Sequence, residues 1–344
     1  MNQQKLSAGR LLNSNGILDQ AGYSTTMVRQ YDRRDIKGQV FKIKEWDYYY
    51  ISDGYRAVAL TIADNSYMSM VSASYLDFSK PWFKTTSKMD FLTFGKLNLP
   101  STLEKGDIDY RSKRVDMSFK NDGTTRHLTC RFDKFIDDKT LTVDIEITDQ
   151  PDEYMVIATP FKENKRAFYY NSKINCMRAE GYVQLGNDEY QFNKDTALAT
   201  LDWGRGIWTY KNTWYWSSLQ GYDDEGKRIG FNLGYGFGDT SNATENMLFY
   251  DGKALKLDDV TFNIPKDNKG NDDFMSPWTL TSKSHDIDLQ FTPIIDRSDI
   301  TDLGVLASKQ HQVFGRFNGT ITAEGVTVRF ENKMGFAEKV FNKW

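Results

Sequence analysis

Along most of this chain, apolar and polar residues take turns. The stretch Leu141-Thr-Val-Asp-Ile-Glu-Ile147 is the cleanest instance. Strict alternation sends every second side chain to the same face, which suits a strand with one buried and one wet face. Similar segments recur from end to end, each closed by a turn signal. Asp53-Gly54 separates two of them in the first half, and Asp251-Gly252 and Glu324-Gly325 do so in the second. Segments at about 8–12-residue spacing indicate a sandwich or barrel. Phe168–Leu185 is long enough to require a bend, expected near Gly181. Helical periodicity is confined to one or two turns near Asp299–Ala307. Aromatic residues make up 14% of the chain, and they pack well on pleated surfaces, which favours sheet over helix.

The 344 residues exceed a comfortable single core, so two domains are expected. The polar stretch Lys162–Lys165 separates two apolar strands and is the natural junction, giving domains of 1–162 and 163–344. A net charge of −3 with interspersed signs lacks the basic stripe of a nucleic-acid binder. The N-terminal residues lack the apolar run of a signal peptide, and no later run reaches a membrane span, so a cytoplasmic protein is expected. Cys130 and Cys176 should stay reduced there. His127 and Cys130 point to opposite faces of a strand, so no metal site is expected. No P-loop, Ser/His/Asp set or zinc-hydrolase motif occurs, and no cofactor is implied. Oligomeric state is not legible.

The densest aromatic cluster is Leu201-Asp-Trp-Gly-Arg-Gly-Ile-Trp208 followed by Trp214-Tyr-Trp216, which holds four of the eight tryptophans. In a strand, Trp214, Trp216, Ser218 and Gln220 share one face. Two indoles beside a hydroxyl and an amide make either a binding wall or a large core. Asp202 and Arg205 flank Trp203-Gly204. As a buried pair they would be structural, whereas Asp202 in an apolar pocket would hold a proton and could donate it. In Ile229–Gly238, Asn232 is the polar side chain on a face otherwise made of glycines. That open face offers ligand space or admits a neighbouring sheet. The G-x-G-x-G run is not a dinucleotide fingerprint, because a turn follows it. Glu245 before an apolar run, and Gly335-Phe-Ala-Glu338, each set an acid among aromatics.

Several of these segments have a familiar ring. Tyr169-Tyr-Asn-Ser172, Glu180-Gly-Tyr-Val183, Leu201-Asp-Trp-Gly204, Trp214-Tyr-Trp216, Asn232-Leu-Gly234 with Glu245-Asn246, Gly335-Phe-Ala-Glu338 and the amino-terminal Lys44-Glu-Trp-Asp-Tyr48 resemble domain of unknown function family 2804 over nearly the full length. That family is similar in turn to the lipocalin-like carotenoid hydratases and related cyclases. The resemblance implies an all-β fold of two tandem antiparallel lipocalin-like (calycin) barrels, with the pocket expected in the second. It also implies protonation of an apolar, isoprenoid-like substrate. The relatives carry D-x-x-W-G, however, and the acid position here is Thr200, with Asp202 adjoining Trp203 directly.

The expectation is therefore a small apolar or amphipathic molecule held by Tyr169, Trp203, Arg205, Trp208, Trp214, Trp216, Asn232 and Glu245. Asp202 is the candidate proton donor should hydration, isomerisation or cyclisation follow. Carbohydrate binding on the indoles is a further alternative.

Overall fold

The computed structural model describes residues 3–302 and 307–343. Among them the regular structure is almost all strand, with two 3-10 turns, Arg33–Asp35 and Val40–Lys42, and no α-helix. No helix of the described residues is long and apolar enough to cross a membrane.

Two curled antiparallel sheets account for nearly all strands. The first contains β1 (Ile43–Ser52), β2 (Arg56–Asp64), β3 (Met68–Asp77), β4 (Trp82–Phe91), β5 (Ile108–Arg111), β6 (Val115–Asn121), β7 (Arg126–Ile136), β8 (Lys139–Thr148), β9 (Met155–Phe161), β10 (Asn164–Leu185) and β11 (Leu198–Ile207). Its strands lie in the order β4-β3-β2-β1-β11-β10-β8-β7-β6-β5. The curl brings β4 back towards β7, where the Thr86 hydroxyl donates to the Phe135 carbonyl at 2.6 Å. The second sheet is centred on β12 (Lys211–Tyr222), β13 (Arg228–Tyr235), β14 (Ile287–Asp302), β15 (Ala307–Ala323) and β16 (Val326–Lys343), in the order β13-β12-β16-β15-β14. This is the architecture of tandem calycin-like half-barrels.

Three local readings differ from the sequence expectation. Lys162-Glu163 is not a junction. Phe161 pairs with Asn164, so the polar residues form the tight turn of the β9–β10 hairpin, and the chain crosses to the second sheet only after Ile207. A charged hairpin tip and a charged linker look alike in sequence because both face water. The bend in β10 falls at a bulge between Ile174 and Met177, where Cys176 has φ 65°, ahead of Gly181 at φ 133°. A Cβ on Gly181 would come within 2.1 Å of the Asp144 carbonyl oxygen. The helical turns expected near Asp299–Ala307 are strand where described, since β14 runs to Asp302 and β15 resumes at Ala307. Residues 303–306 lie outside the described residues.

Alternation then sorts the side chains into three cores. Odd-numbered residues of β1 and β11, among them Tyr49, Ile51, Leu201 and Trp203, fill the first half-barrel. Phe231, Leu233, Trp278, Phe291, Phe317 and Phe330 fill the second. The even-numbered faces of β1 and β16 meet between the sheets. There Tyr50, Leu76, Phe78, Ile295, Phe314 and Phe336 form a third, interfacial core.

Candidate active site between the two sheets

Beyond the interfacial core the sheets diverge around a cavity of about 630 Å³. It belongs to neither half-barrel interior, and in particular it does not sit inside the second. A cavity of this size matches the range for small organic ligands.

Register builds its walls. In the first sheet, Tyr48 of β1 stands opposite Asp202 of β11, which stands opposite Lys173 of β10. The same row continues the other way through Thr61, Ser72 and Ser87. In the second sheet, Trp216 of β12 pairs with Glu338 of β16, then Gln312 of β15 and Arg297 of β14. All ten of these side chains line the cavity. Each comes from a different strand, so only sheet pairing brings them together.

The acids are treated differently by their surroundings. Asp202 is bound by a lysine and an amide: Lys173 Nζ lies 2.9 Å from Oδ2, and Asn171 Nδ2 donates to Oδ1 at 2.6 Å. Lys173 Nζ also sits 3.6 Å above the Trp216 ring. Glu338 receives only neutral donors, Trp214 Nε1 at 3.0 Å and Gln312 Nε2 at 3.0 Å. Burial pushes its carboxyl up to about 7, against the opposing effects of the Trp214 hydrogen bond and of Lys173 and Arg297. Burial likewise raises Glu245, which also lines the cavity. A carboxyl raised by burial in the same cavity as one bound by a lysine is the arrangement that separates acid from base.

Around this polar centre stands an aromatic box. Trp46 stacks on Tyr169 at 6.2 Å, and Phe237 contacts Tyr169, Trp208 and Trp214 edge-on at 4.6, 4.6 and 5.2 Å. Burial raises the Tyr169 phenol well above its usual range, so it stays neutral. Trp46 fits only because its cross-strand partner is Gly204, where a Cβ would fall 2.0 Å from the indole. The indoles Trp46, Trp208 and Trp214 meet at steep angles, 78° and 70°.

The expected site residues divide by strand face. Asp202, Tyr169, Trp208, Trp214, Trp216 and Glu245 line the cavity. Trp203 and Arg205 point the other way, into the first half-barrel. There Trp203 meets Tyr31 and Tyr170 edge-on, and Arg205 pairs with Asp47 at 2.9 Å. Asp202 and Arg205 are three residues apart in a strand, so they cannot form the pair considered from sequence. Asn232 is fully buried behind the wall: it accepts from Trp216 Nε1 at 2.7 Å and donates to the Glu245 carbonyl at 2.9 Å. It orients lining residues without lining the cavity itself. The glycine face around it is occupied by neighbours, with the Glu245 carboxyl beside Gly234 and the Cys176 thiol beside Gly230. Lys173, Arg297, Gln312 and Tyr48 were not singled out from sequence. Their roles come from register rather than from any local motif.

The comparisons with known proteins agree with this architecture. The profile of the domain of unknown function DUF2804 matches residues 2–344. The chain belongs to that family. This DUF2804 chain shares its fold with a candidate AttH from Nitrosomonas europaea, with a TM-score of 0.54 and 11% identity over 92% of this chain and 98% of that one. It also resembles kievitone hydratase from Nectria haematococca, at 0.51 and 12% identity over 90% and 94%. No curated protein matches it.

Proposed function

We propose that the inter-sheet cavity binds a small unsaturated apolar or amphipathic molecule and that Glu338 protonates it. The observation that carries this reading is a buried Glu338 carboxyl, given neutral donors and pushed up by burial to about 7, lying with the Asp202–Lys173 ion pair in one aromatic-walled cavity. A proton delivered to a carbon–carbon double bond leaves a carbocation. Indole faces and the Asp202 carboxylate stabilise such a cation electrostatically. Water then adds to it, and the proton that water releases restores Glu338, so the net change is addition of one water. Loss of a neighbouring proton instead would complete an isomerisation. The hydratase fold neighbour supports the class of chemistry by analogy.

Two readouts test this. Tryptophan fluorescence titrated with a panel of unsaturated apolar compounds reads binding, and mass spectrometry in ¹⁸O-labelled water reads addition. A ligand that quenches the wild type should bind Glu338→Gln within about threefold, while label incorporation drops about a hundredfold or more. Incorporation unchanged in Glu338→Gln would remove Glu338 from the chemistry. A panel that neither quenches nor turns over would remove the reading itself.

A further inference from the structure

The cavity is closed at one end and open at the other, and the open end is where the molecule's apolar surface collects. The interfacial core plugs one end, where β1 finishes, β3 finishes and β16 begins. At the other end β1 begins, β2, β4 and β11 finish, β12 begins and β16 finishes. Asp299 and Gln310, which pair across β14 and β15, line the cavity there and are also exposed, which makes this end the mouth.

Ten large hydrophobic side chains are exposed among the described residues, and eight lie at that mouth. Val40 and Phe41 precede β1, Met89 and Phe91 end β4, and Leu92 and Phe94 follow it. Phe91 is 75% exposed, and Phe41 meets Phe94 edge-on at 5.0 Å. Met89 is the cross-strand partner of Met70, itself a lining residue, so the patch runs unbroken into the cavity wall. From the second sheet, Ile300 ends β14 and Tyr210 sits in the crossing between sheets. Chance scatter does not place eight of ten on one rim, and a contiguous patch of this kind marks a docking surface.

Charge indicates what docks. Lys37, Lys42, Lys96, Lys211, Lys309 and Lys343 lie at the same end and outnumber the acids beside the patch, Asp90 and Asp299, in a chain whose net charge is −3. Exposed aromatics ringed by lysines suit an anionic lipid surface, where rings enter the interface and ammonium groups meet head groups.

We infer that this rim is a peripheral membrane-docking surface for an anionic bilayer, through which an apolar substrate passes directly from lipid into the cavity. The substrate-entry part rests on the function proposed above, whereas the docking itself is measurable without any substrate.

The test is flotation of the full chain with 100 nm vesicles of phosphatidylcholine alone or with about 30% phosphatidylglycerol. Wild type should float with the anionic vesicles and be released by salt. Phe41→Ser/Phe91→Ser/Phe94→Ser should lower the partition coefficient about tenfold or more, and Lys42→Glu/Lys96→Glu should do the same on anionic vesicles. Tyr55→Ser, at the plugged end, should leave it unchanged. Turnover of a substrate in free solution should survive the rim substitutions, so failure to float overturns docking without touching the chemistry of Glu338. Docking is overturned by wild type that stays unbound, by rim variants that float as wild type does, or by Tyr55→Ser matching their loss. It is also overturned by a wild-type dimer in sedimentation that the phenylalanine variant abolishes without any vesicle binding, which would make the rim a self-contact.

Discussion

Glu338 owes its properties to what surrounds it rather than to its neighbours in sequence. Trp214 and Gln312 each give its carboxyl one neutral donor, and burial raises its pKa to about 7. An unfolded glutamate releases its proton near 4.5. Between those values the folded state binds more protons than the unfolded one, so this group's contribution to stability falls as pH rises through that window. The fall is complete above about pH 7, and it amounts to about 3 kcal/mol at 1.36 kcal/mol per pH unit. Glu338→Gln carries no titrating proton. Its stability relative to wild type should therefore improve by about 2–3 kcal/mol between pH 5 and pH 8, read from urea unfolding at both. A pH-independent difference would mean that Glu338 is ionised in the folded protein. A variant that gains stability at pH 8 while losing activity is also what a group kept for chemistry should show.

At the scale of the strand, the site is a matter of parity and register. Trp214 and Trp216 could be placed on one face from their spacing alone, and both line the cavity. Glu338 could be noticed as an acid among aromatics but not chosen over the other acids, because its partners lie on β12 and β15. The same parity separates Trp203 and Arg205, which stand in the densest motif, from Asp202 on the opposite face of β11. A one-residue difference in spacing decides that, and sequence similarity without register does not reveal it. Gly204 shows how closely the elements are fitted. Its missing side chain is what lets the Trp46 indole lie across β11 to wall the cavity. Gly204→Ala should cost about 2 kcal/mol or more and weaken ligand binding. Gly221→Ala on β12 is the control, since a Cβ there meets only the flexible Lys333 at 3.7 Å. Equal urea midpoints for the two variants would show that Trp46 can move aside without cost.

Taken as a whole, the protein places its chemistry on the seam between two half-barrels, and the seam should therefore govern how it unfolds. Chains of this length often unfold in stages. Here separation of the sheets would expose the third core, where Phe314 contacts Tyr50, Phe78 and Phe336 at 5.6–5.7 Å. It would also break the contact of Arg297 on β14 with Ser74 on β3, and that of Asn175 on β10 with Ser218 on β12 at 2.7 Å. Neither sheet can lose the other without leaving buried aromatic and polar groups unpartnered, so the two should unfold as one unit. Far-ultraviolet circular dichroism reports both sheets, whereas Trp214 and Trp216 report the seam. In wild type the two signals should share one guanidinium midpoint. Phe314→Ala removes a fully buried ring and should cost about 3–5 kcal/mol. If that weakening is confined to the seam, fluorescence will change at lower denaturant than circular dichroism, because the cavity opens while the half-barrels persist. Non-coincident signals already in wild type would mean that the seam is the weakest part of the fold. The rows of Asp202–Lys173 and Glu338–Arg297 would then be assembled only when something binds between them.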